Sequence, residues 1–302
     1  MKVLVTGGSG FLGSHVADAL TEAGHNVVVF DVNPSPYLQD GQQMIIGDVT
    51  DRDAVSAAVE GCEVVYHLAA LADIDEAINK PVDTMSVNLM GTVNMLEAAR
   101  EHDVKRFVFS SSIYVYSDQG SFYRTSKQAC EHLIQDYHDR YGLEYTILRY
   151  GSLYGPRADS SNAVFKMVTS AFENKHIEYG GNGREVREYI HIRDAALMSA
   201  DVLDDEYKSA ILHLTGRERM TTGDMLEMLR EIFKNEVEIS LGQDNITGHY
   251  MQTPYNYTPR LGRKMTRNTY IDLGLGLLDV IQFLDQSNPE THPPVPSSEE
   301  GE

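Results

Sequence analysis

Tyr123 and Lys127 stand four residues apart in Tyr123-Arg124-Thr125-Ser126-Lys127, so a helix through this segment puts them on one face. A phenol beside an ammonium group can act as a base, because the positive charge favours the phenolate. The demand is large: an ordinary phenol titrates near pH 10, and action at pH 7 takes roughly 4 kcal/mol of help. Ser112, separated from Tyr123 by the ten residues from Ile113 to Phe122, closes an apolar run. It can hydrogen-bond the same substrate oxygen and fix it for proton transfer as hydride leaves the attached carbon.

Hydride needs an acceptor, and the first turn of the chain offers a place for one. Thr6-Gly7-Gly8-Ser9-Gly10-Phe11-Leu12-Gly13 follows the apolar Val3-Leu4-Val5 and opens an amphipathic segment from Phe11 to Ala23. Without Cβ atoms at Gly7 and Gly10, backbone N–H groups and the helix dipole can face a pyrophosphate, and Gly13 lets helix and strand pack closely. A second apolar run, Asn26 to Phe30, leads to Asp31, 18 residues beyond Gly13. A carboxylate there accepts hydrogen bonds from both ribose hydroxyls and repels a 2′-phosphate, so NAD(H) is expected rather than NADP(H). The bland alternative is a glycine-rich turn in an unrelated α/β protein.

Around these residues apolar strands alternate with helical periodicities: strands at Gln43–Ile46, Glu63–His67, Arg106–Phe109 and Tyr145–Leu148, helices at Asp51–Val59, Val82–Arg100 and Tyr123–Tyr141. Such alternation predicts an α/β fold, a doubly wound parallel (Rossmann) sheet with a smaller, mostly helical C-terminal substrate lobe. Ligands then bind at the carboxyl ends of the strands. Polar and small residues collect there, at Asp48-Val49, His67 to Ala70, Ser110 to Ser112 and Arg149 to Ser152. The expected division is a dinucleotide-binding domain over 1–155 with sheet contributions from about 187–215, an interleaved lobe over 156–286, and a disordered tail over 287–302, rich in Pro, Ser and Glu.

With 45 acidic against 25 basic residues, a net charge of −20 argues against nucleic acid and anionic membrane as partners. Cys62 and Cys130 stand alone, without the spacing of a disulfide framework or zinc site. No apolar run nears ~18 residues, and Met1 leads directly into the first strand, so a cytoplasmic protein without a signal peptide is expected.

Taken together, the glycine turn, Asp31, Gly47-Asp48-Val49, His67-Leu68-Ala69-Ala70, Asn88, Ser110-Ser111-Ser112, Tyr123-x-x-x-Lys127 and Tyr154-Gly155-Pro156-Arg157 resemble the extended short-chain dehydrogenase/reductases. Among these the chain is most similar to the NAD-dependent nucleotide-sugar epimerase/dehydratase group, over residues 1 to about 200. The resemblance implies that Asp48 and Val49 contact adenine and that Leu68, Ala69 and Ala70 pass beneath the pyrophosphate and ribose. It implies that Tyr150 helps seat the nicotinamide, and that Phe11, Leu12, Asn33, Asn88 and Ser110 complete the cofactor contacts. It further implies a nucleoside-diphosphate sugar substrate, met by Ser112, Ser152 and Arg187, the last pairing with the diphosphate as a guanidinium does well. The segment from Ser112 to Tyr123 is shorter than is usual for the group, and Ser117, Ser152 and Glu188 replace its usual glycine, asparagine and aspartate.

The leading expectation is a 4-epimerase working through a transient 4-keto sugar. The acidic pair that the dehydratase branch carries shortly after its catalytic Ser/Thr is here Tyr114 and Val115, and the acid a decarboxylase needs is available in this segment only as Asp118. A one-direction dehydrogenase/reductase or a dehydratase is the enzymatic alternative; an NAD-binding sensing or structural module is the non-enzymatic one. Met85, Leu89, Val93, Leu96, Cys130, Leu133 and Tyr137 form apolar surface beyond one stripe on two helices, and with the resemblance they predict a homodimer.

Overall fold

The computed structural model describes residues 1–216, 219–243 and 248–252; the expected tail over 287–302 and the end of the expected lobe lie outside the described residues. In chain order the elements are β1 (Lys2–Thr6), α1 (Phe11–Glu22), β2 (Asn26–Asp31), β3 (Gln43–Ile46), α2 (Arg52–Val59), β4 (Val64–His67), α3 (Ile74–Asn79), α4 (Pro81–Thr84), α5 (Gly91–Glu101), β5 (Arg106–Ser112), α6 (Ser121–Tyr141) and β6 (Tyr145–Tyr150). Then come β7 (Ser152–Tyr154), α7 (Ala163–Asn174), β8 (His176–Tyr179), β9 (Val186–His191), α8 (Ile192–Asp201), β10 (Ala210–Leu214), β11 (Arg219–Thr221), α9 (Thr222–Ile232) and β12 (Glu238–Leu241).

Seven strands form one parallel sheet in the order β3-β2-β1-β4-β5-β6-β10. Its central strands are buried on both faces, which is why they read as continuous apolar runs rather than as alternating ones. Successive residues still part to opposite sides. Leu4, Phe30, Val65, Phe107, Phe109 and Ile147 pack with Val55, Met95, Leu96, Cys130 and Ile134 of α2, α5 and α6. Val3, Val5, Val29, Tyr66, Val108 and Leu148 pack with Val16 and Leu20 of α1 and Ala195 and Ala196 of α8. The strand order reverses between β1 and β4, and a crevice at their carboxyl ends is the usual ligand position in such a sheet.

The single helix expected over Val82–Arg100 has a widened centre: α4 runs through a π-helical turn, Met85–Met90, into α5. Such turns are frequent at functional sites, and this one holds the buried Asn88. Within 187–215, β10 joins the large sheet, whereas β9 pairs with β7 and β11 in a second, three-stranded sheet. The chain turns away at Gly151, whose N–H is donated to the Leu214 carbonyl at 3.0 Å and where an added Cβ would lie 3.0 Å from the Glu188 carbonyl. β8 and β12 pair in parallel beside α7 and α9. Among the described residues no helix is long and apolar enough to cross a membrane.

Candidate active site

Gly7 has a positive φ of 68°, and an added Cβ would lie 2.8 Å from the Ala69 nitrogen. At Gly13 an added Cβ would come within 2.1 Å of the Gly7 carbonyl. Neither position tolerates a side chain, so the turn closes tightly on the amino end of α1. Ser9 ties this turn to the end of β2: its N–H is donated to Asp31 Oδ2 at 3.1 Å and its hydroxyl to the Asn33 carbonyl at 2.7 Å. The other Asp31 oxygen accepts from the Asn33 N–H at 3.1 Å. A cradle of bare backbone with a carboxylate fixed beside it is what a pyrophosphate and a ribose diol require. Asp48 is exposed and accepts from the Thr50 N–H at 2.8 Å, while Val49 is buried against Gly91.

Leu68, Ala69 and Ala70 follow β4 and are half-buried. The N–H groups of Leu68 and Ala69 are both donated to Thr6 Oγ1, at 3.1 Å each. Thr6 therefore gives its own proton to His67 Nδ1, 2.8 Å away, which assigns the imidazole proton to Nε2. That N–H is donated to Thr92 Oγ1 at 3.0 Å, and the Thr92 hydroxyl to the Asn88 carbonyl at 2.6 Å. Burial, with Lys127 nearby, drops His67 to about 3. It stays neutral and serves as a rigid link between the glycine turn and the π-helical turn.

Ser112, Tyr123 and Lys127 meet at the end of β5. The Tyr123 hydroxyl is hydrogen-bonded to Ser112, which lowers its pKa, but burial dominates and pushes it up to about 12. Lys127, 2 % exposed, donates Nζ–H to the Ser110 carbonyl at 2.7 Å. Its ammonium lies 4.8 Å from the centre of the Phe109 ring and 5.8 Å from that of Tyr123. Burial brings it down to about 8, against the opposing pull of Cys130 and Glu131. Bringing a phenol from about 12 to neutral pH takes about 7 kcal/mol, more than an exposed phenol would need. Lys127, and any further positive charge beside Tyr123, would lower that cost.

Four further residues assigned from sequence have these surroundings in the fold. Tyr150 is 4 % exposed, its ring in the core with α1 and α8 and its hydroxyl hydrogen-bonded to Ser199 Oγ at 2.6 Å. Asn88 is 2 % exposed and fully engaged: Oδ1 accepts from the Leu71 N–H at 2.7 Å, and Nδ2 donates to the Leu71 carbonyl at 3.1 Å and Ser126 Oγ at 3.0 Å. It braces the 68–71 segment against α6. Ser152 meets the Tyr250 hydroxyl. Arg187 donates to the Val186 carbonyl at 3.1 Å and stacks on Tyr250, 4.2 Å from the ring centre.

Sequence reasoning missed a charged network behind the triad. Glu131, one turn beyond Lys127, accepts from Arg149 at 2.9 and 2.5 Å and from Ser111 Oγ at 2.5 Å. Arg149 also donates to the Tyr116 hydroxyl, which hydrogen-bonds His213 Nε2 at 2.9 Å. The signal was an arginine inside an otherwise apolar strand. Among the described residues no carboxylate is hydrogen-bonded to Ser112, Tyr123 or Lys127. Asp118 is exposed, and Tyr114, packed edge-on against Tyr123 with ring centres 6.5 Å apart, is neutral.

The NAD dependent epimerase/dehydratase family model matches residues 3–210, and the chain belongs to that family; its cofactor is NAD. A putative UDP-glucose 4-epimerase of Methanocaldococcus jannaschii is 29 % identical over 257 residues, covering 78 % of this chain and 82 % of that one. A dTDP-glucose 4,6-dehydratase of Mycobacterium tuberculosis is 28 % identical over 235 residues, 68 % of this chain and 69 % of the other. The structure of a UDP-glucuronic acid 4-epimerase from Bacillus cereus, in complex with UDP-glucuronic acid and NAD, superposes with a TM-score of 0.78 at 25 % identity, covering 87 % of this chain and 95 % of that one. The protein is therefore an NAD-dependent enzyme of the epimerase/dehydratase family.

Proposed function

We propose that this enzyme is a nucleotide-sugar 4-epimerase. The observation that carries the reading is the Ser112, Tyr123 and Lys127 group, to which no carboxylate among the described residues is hydrogen-bonded. Elimination or decarboxylation needs a further acid or base beside the sugar, whereas epimerisation needs only one group that takes a hydroxyl proton and gives it back. Similarity to a putative UDP-glucose 4-epimerase and to a UDP-glucuronic acid 4-epimerase supports it.

When bound, NAD would be held by Gly7, Gly10, Phe11, Leu12, Gly13, Asp31 and Asn33, with Asp48, Val49, Leu68, Ala69 and Ala70 as further contacts; it would accept the C4 hydride and give it back to the opposite face, and would add positive charge beside Tyr123. Ser112 orients the sugar C4 hydroxyl toward the Tyr123 oxygen. Tyr123 takes its proton as the 4-keto sugar forms, and Lys127 stabilises the phenolate. After the sugar presents its other face, Tyr123 returns the proton. Arg187 pairs with the diphosphate. No cofactor is consumed.

Turnover of UDP-, dTDP-, GDP- and CDP-sugars tests this: an equilibrium mixture of C4 epimers, with no net reduced nicotinamide, is expected. Accumulation of a 4-keto-6-deoxy sugar would make it a dehydratase, and stoichiometric reduced nicotinamide a dehydrogenase. We further propose a homodimer through α4, the π-helical turn, α5 and α6. Leu96 and Cys130 belong to the core, but Met85, Leu89, Val93, Leu133 and Tyr137 are half-buried, and Val82 and Met90 beside them are 78 % and 52 % exposed. Sedimentation as a monomer at micromolar concentration would refute it.

A further inference from the structure

Glu185 and Arg187 stand two residues apart at the start of β9, so in extended backbone their side chains leave on the same side. Tyr179, Tyr189 and His249 each lie within electrostatic reach of both charges. Opposite charges so placed ordinarily close into an ion pair. Here both oxygens of Glu185, which is 1 % exposed, lack a hydrogen-bond partner among the described residues. Arg187 makes no ion pair among the described residues and instead lies on the face of Tyr250.

The Tyr250 ring is held from several sides. It packs on Tyr114 with ring centres 4.6 Å apart, and its hydroxyl meets Ser152. The backbone on either side is anchored, Gly120 N–H donating to the Gly248 carbonyl at 3.0 Å and Val186 N–H to the Met251 carbonyl at 2.7 Å. His249 Nδ1 is hydrogen-bonded to the Tyr114 hydroxyl at 2.9 Å. Residues 248–252 therefore tie the segment before α6 to β9. A guanidinium stacked on such a ring has its plane set, and it keeps in-plane N–H donors for two phosphate oxygens.

We infer that Tyr250 is a positioning residue for diphosphate recognition, its ring holding Arg187 away from Glu185 so that the guanidinium meets the substrate rather than an internal carboxylate. This rests on the reading of Arg187 as the diphosphate partner. Without the ring, Arg187 closes onto Glu185, and an incoming phosphate must displace a carboxylate already in place. Glu185 is the built-in competitor that Tyr250 keeps out.

The test is calorimetric titration of the full chain, loaded with NAD, with the tightest binder among UDP, dTDP, GDP and CDP. Tyr250→Ala is expected to weaken binding about tenfold, the scale of a lost partly desolvated cation–π contact, and Tyr250→Phe to change it little. Adding Glu185→Gln to Tyr250→Ala should restore most of the loss, while Glu185→Gln alone should leave affinity unchanged. NAD affinity should not move in any of these variants, and Tyr250→Leu serves if the alanine variant does not fold. Unchanged affinity in Tyr250→Ala, or a loss that Glu185→Gln does not restore, overturns the inference. Unchanged affinity in Arg187→Ala would instead refute Arg187 as the diphosphate partner.

Discussion

Around Tyr123 the charged and polar groups are already committed: Lys127 to a carbonyl, Glu131 to Arg149 and Ser111, His67 to two threonines, Asn88 to the 68–71 backbone. Around Arg187, among the described residues, the Glu185 carboxylate has no hydrogen-bond partner and the guanidinium lies on a tyrosine ring. The first arrangement presets atoms for chemistry, since a group fully satisfied by the fold does not reorganise during a proton transfer. The second keeps binding groups open for a ligand that brings its own charge. On the proposed function, cofactor and catalytic groups belong to the sheet edge and substrate recognition to the smaller lobe.

The largest effect is expected at the proton acceptor. Tyr123→Phe should lower single-turnover rates on the true substrate roughly 10³-fold or more while NAD stays bound, because the ring remains and only the acceptor is lost. Undiminished turnover would place the base elsewhere. In the wild type, burial pushes Tyr123 up to about 12, and the proposed mechanism uses its phenolate. The rate should therefore rise with pH up to the pKa that Lys127 and the cofactor impose, and that limb should vanish in Tyr123→Phe.

The claim of prior commitment is tested by Glu131→Gln, which leaves the Arg149 guanidinium buried without its counter-charge. Unfolding in urea should show a loss of about 3–5 kcal/mol; a loss below 1 kcal/mol would mean that the network is not holding the edge.

A related loss should appear in acid. Folded His67 titrates at about 3, below its ordinary 6.5, so between these values the unfolded chain binds a proton that the folded chain does not. Stability is then lost as pH falls through that window, by several kcal/mol at most. The unfolding free energy of His67→Gln, measured from pH 7 to 4, should fall less steeply than that of the wild type.

Ser112→Ala should cost on the order of 10² in rate, one positioned hydrogen bond being removed. The smallest effect is expected at the cofactor. Asp31→Asn should weaken NAD about tenfold and narrow its advantage over NADP, the loss of one charge-assisted contact. Equal affinity of the wild-type enzyme for both cofactors would undo the ribose assignment.

Much of the catalytic edge was legible from local pattern. Gly7, Gly10 and Gly13 follow one strand at the spacing a close backbone approach demands, and Tyr123 and Lys127 share a face because four residues make about one helical turn. Strand–helix alternation carried the seven-stranded sheet in the same way, since buried parallel strands are continuous apolar runs. Local pattern fell short where side-chain direction mattered. Tyr150 closes a strand at the cleft, yet strand alternation turns its ring to the opposite face, where Ser199 receives it. Asn88 lies near the right place, but the π-helical turn directs its amide to Leu71 and Ser126.

What the sequence determined by itself, then, is whatever depends on neighbours along the chain: the glycine turn, the Tyr123 and Lys127 face, the acid at the end of β2, the order of strands and helices. Contacts between groups far apart in sequence came from chain folding alone. Arg149 reaches Glu131 across 18 residues, and the Tyr114 hydroxyl reaches His249 across 135. Glu185 and Arg187 are near neighbours, yet no local pattern shows that they stay apart. That depends on Tyr250, which chain folding brings from more than sixty residues away to the face of one guanidinium, and no periodicity or propensity encodes a contact of that kind.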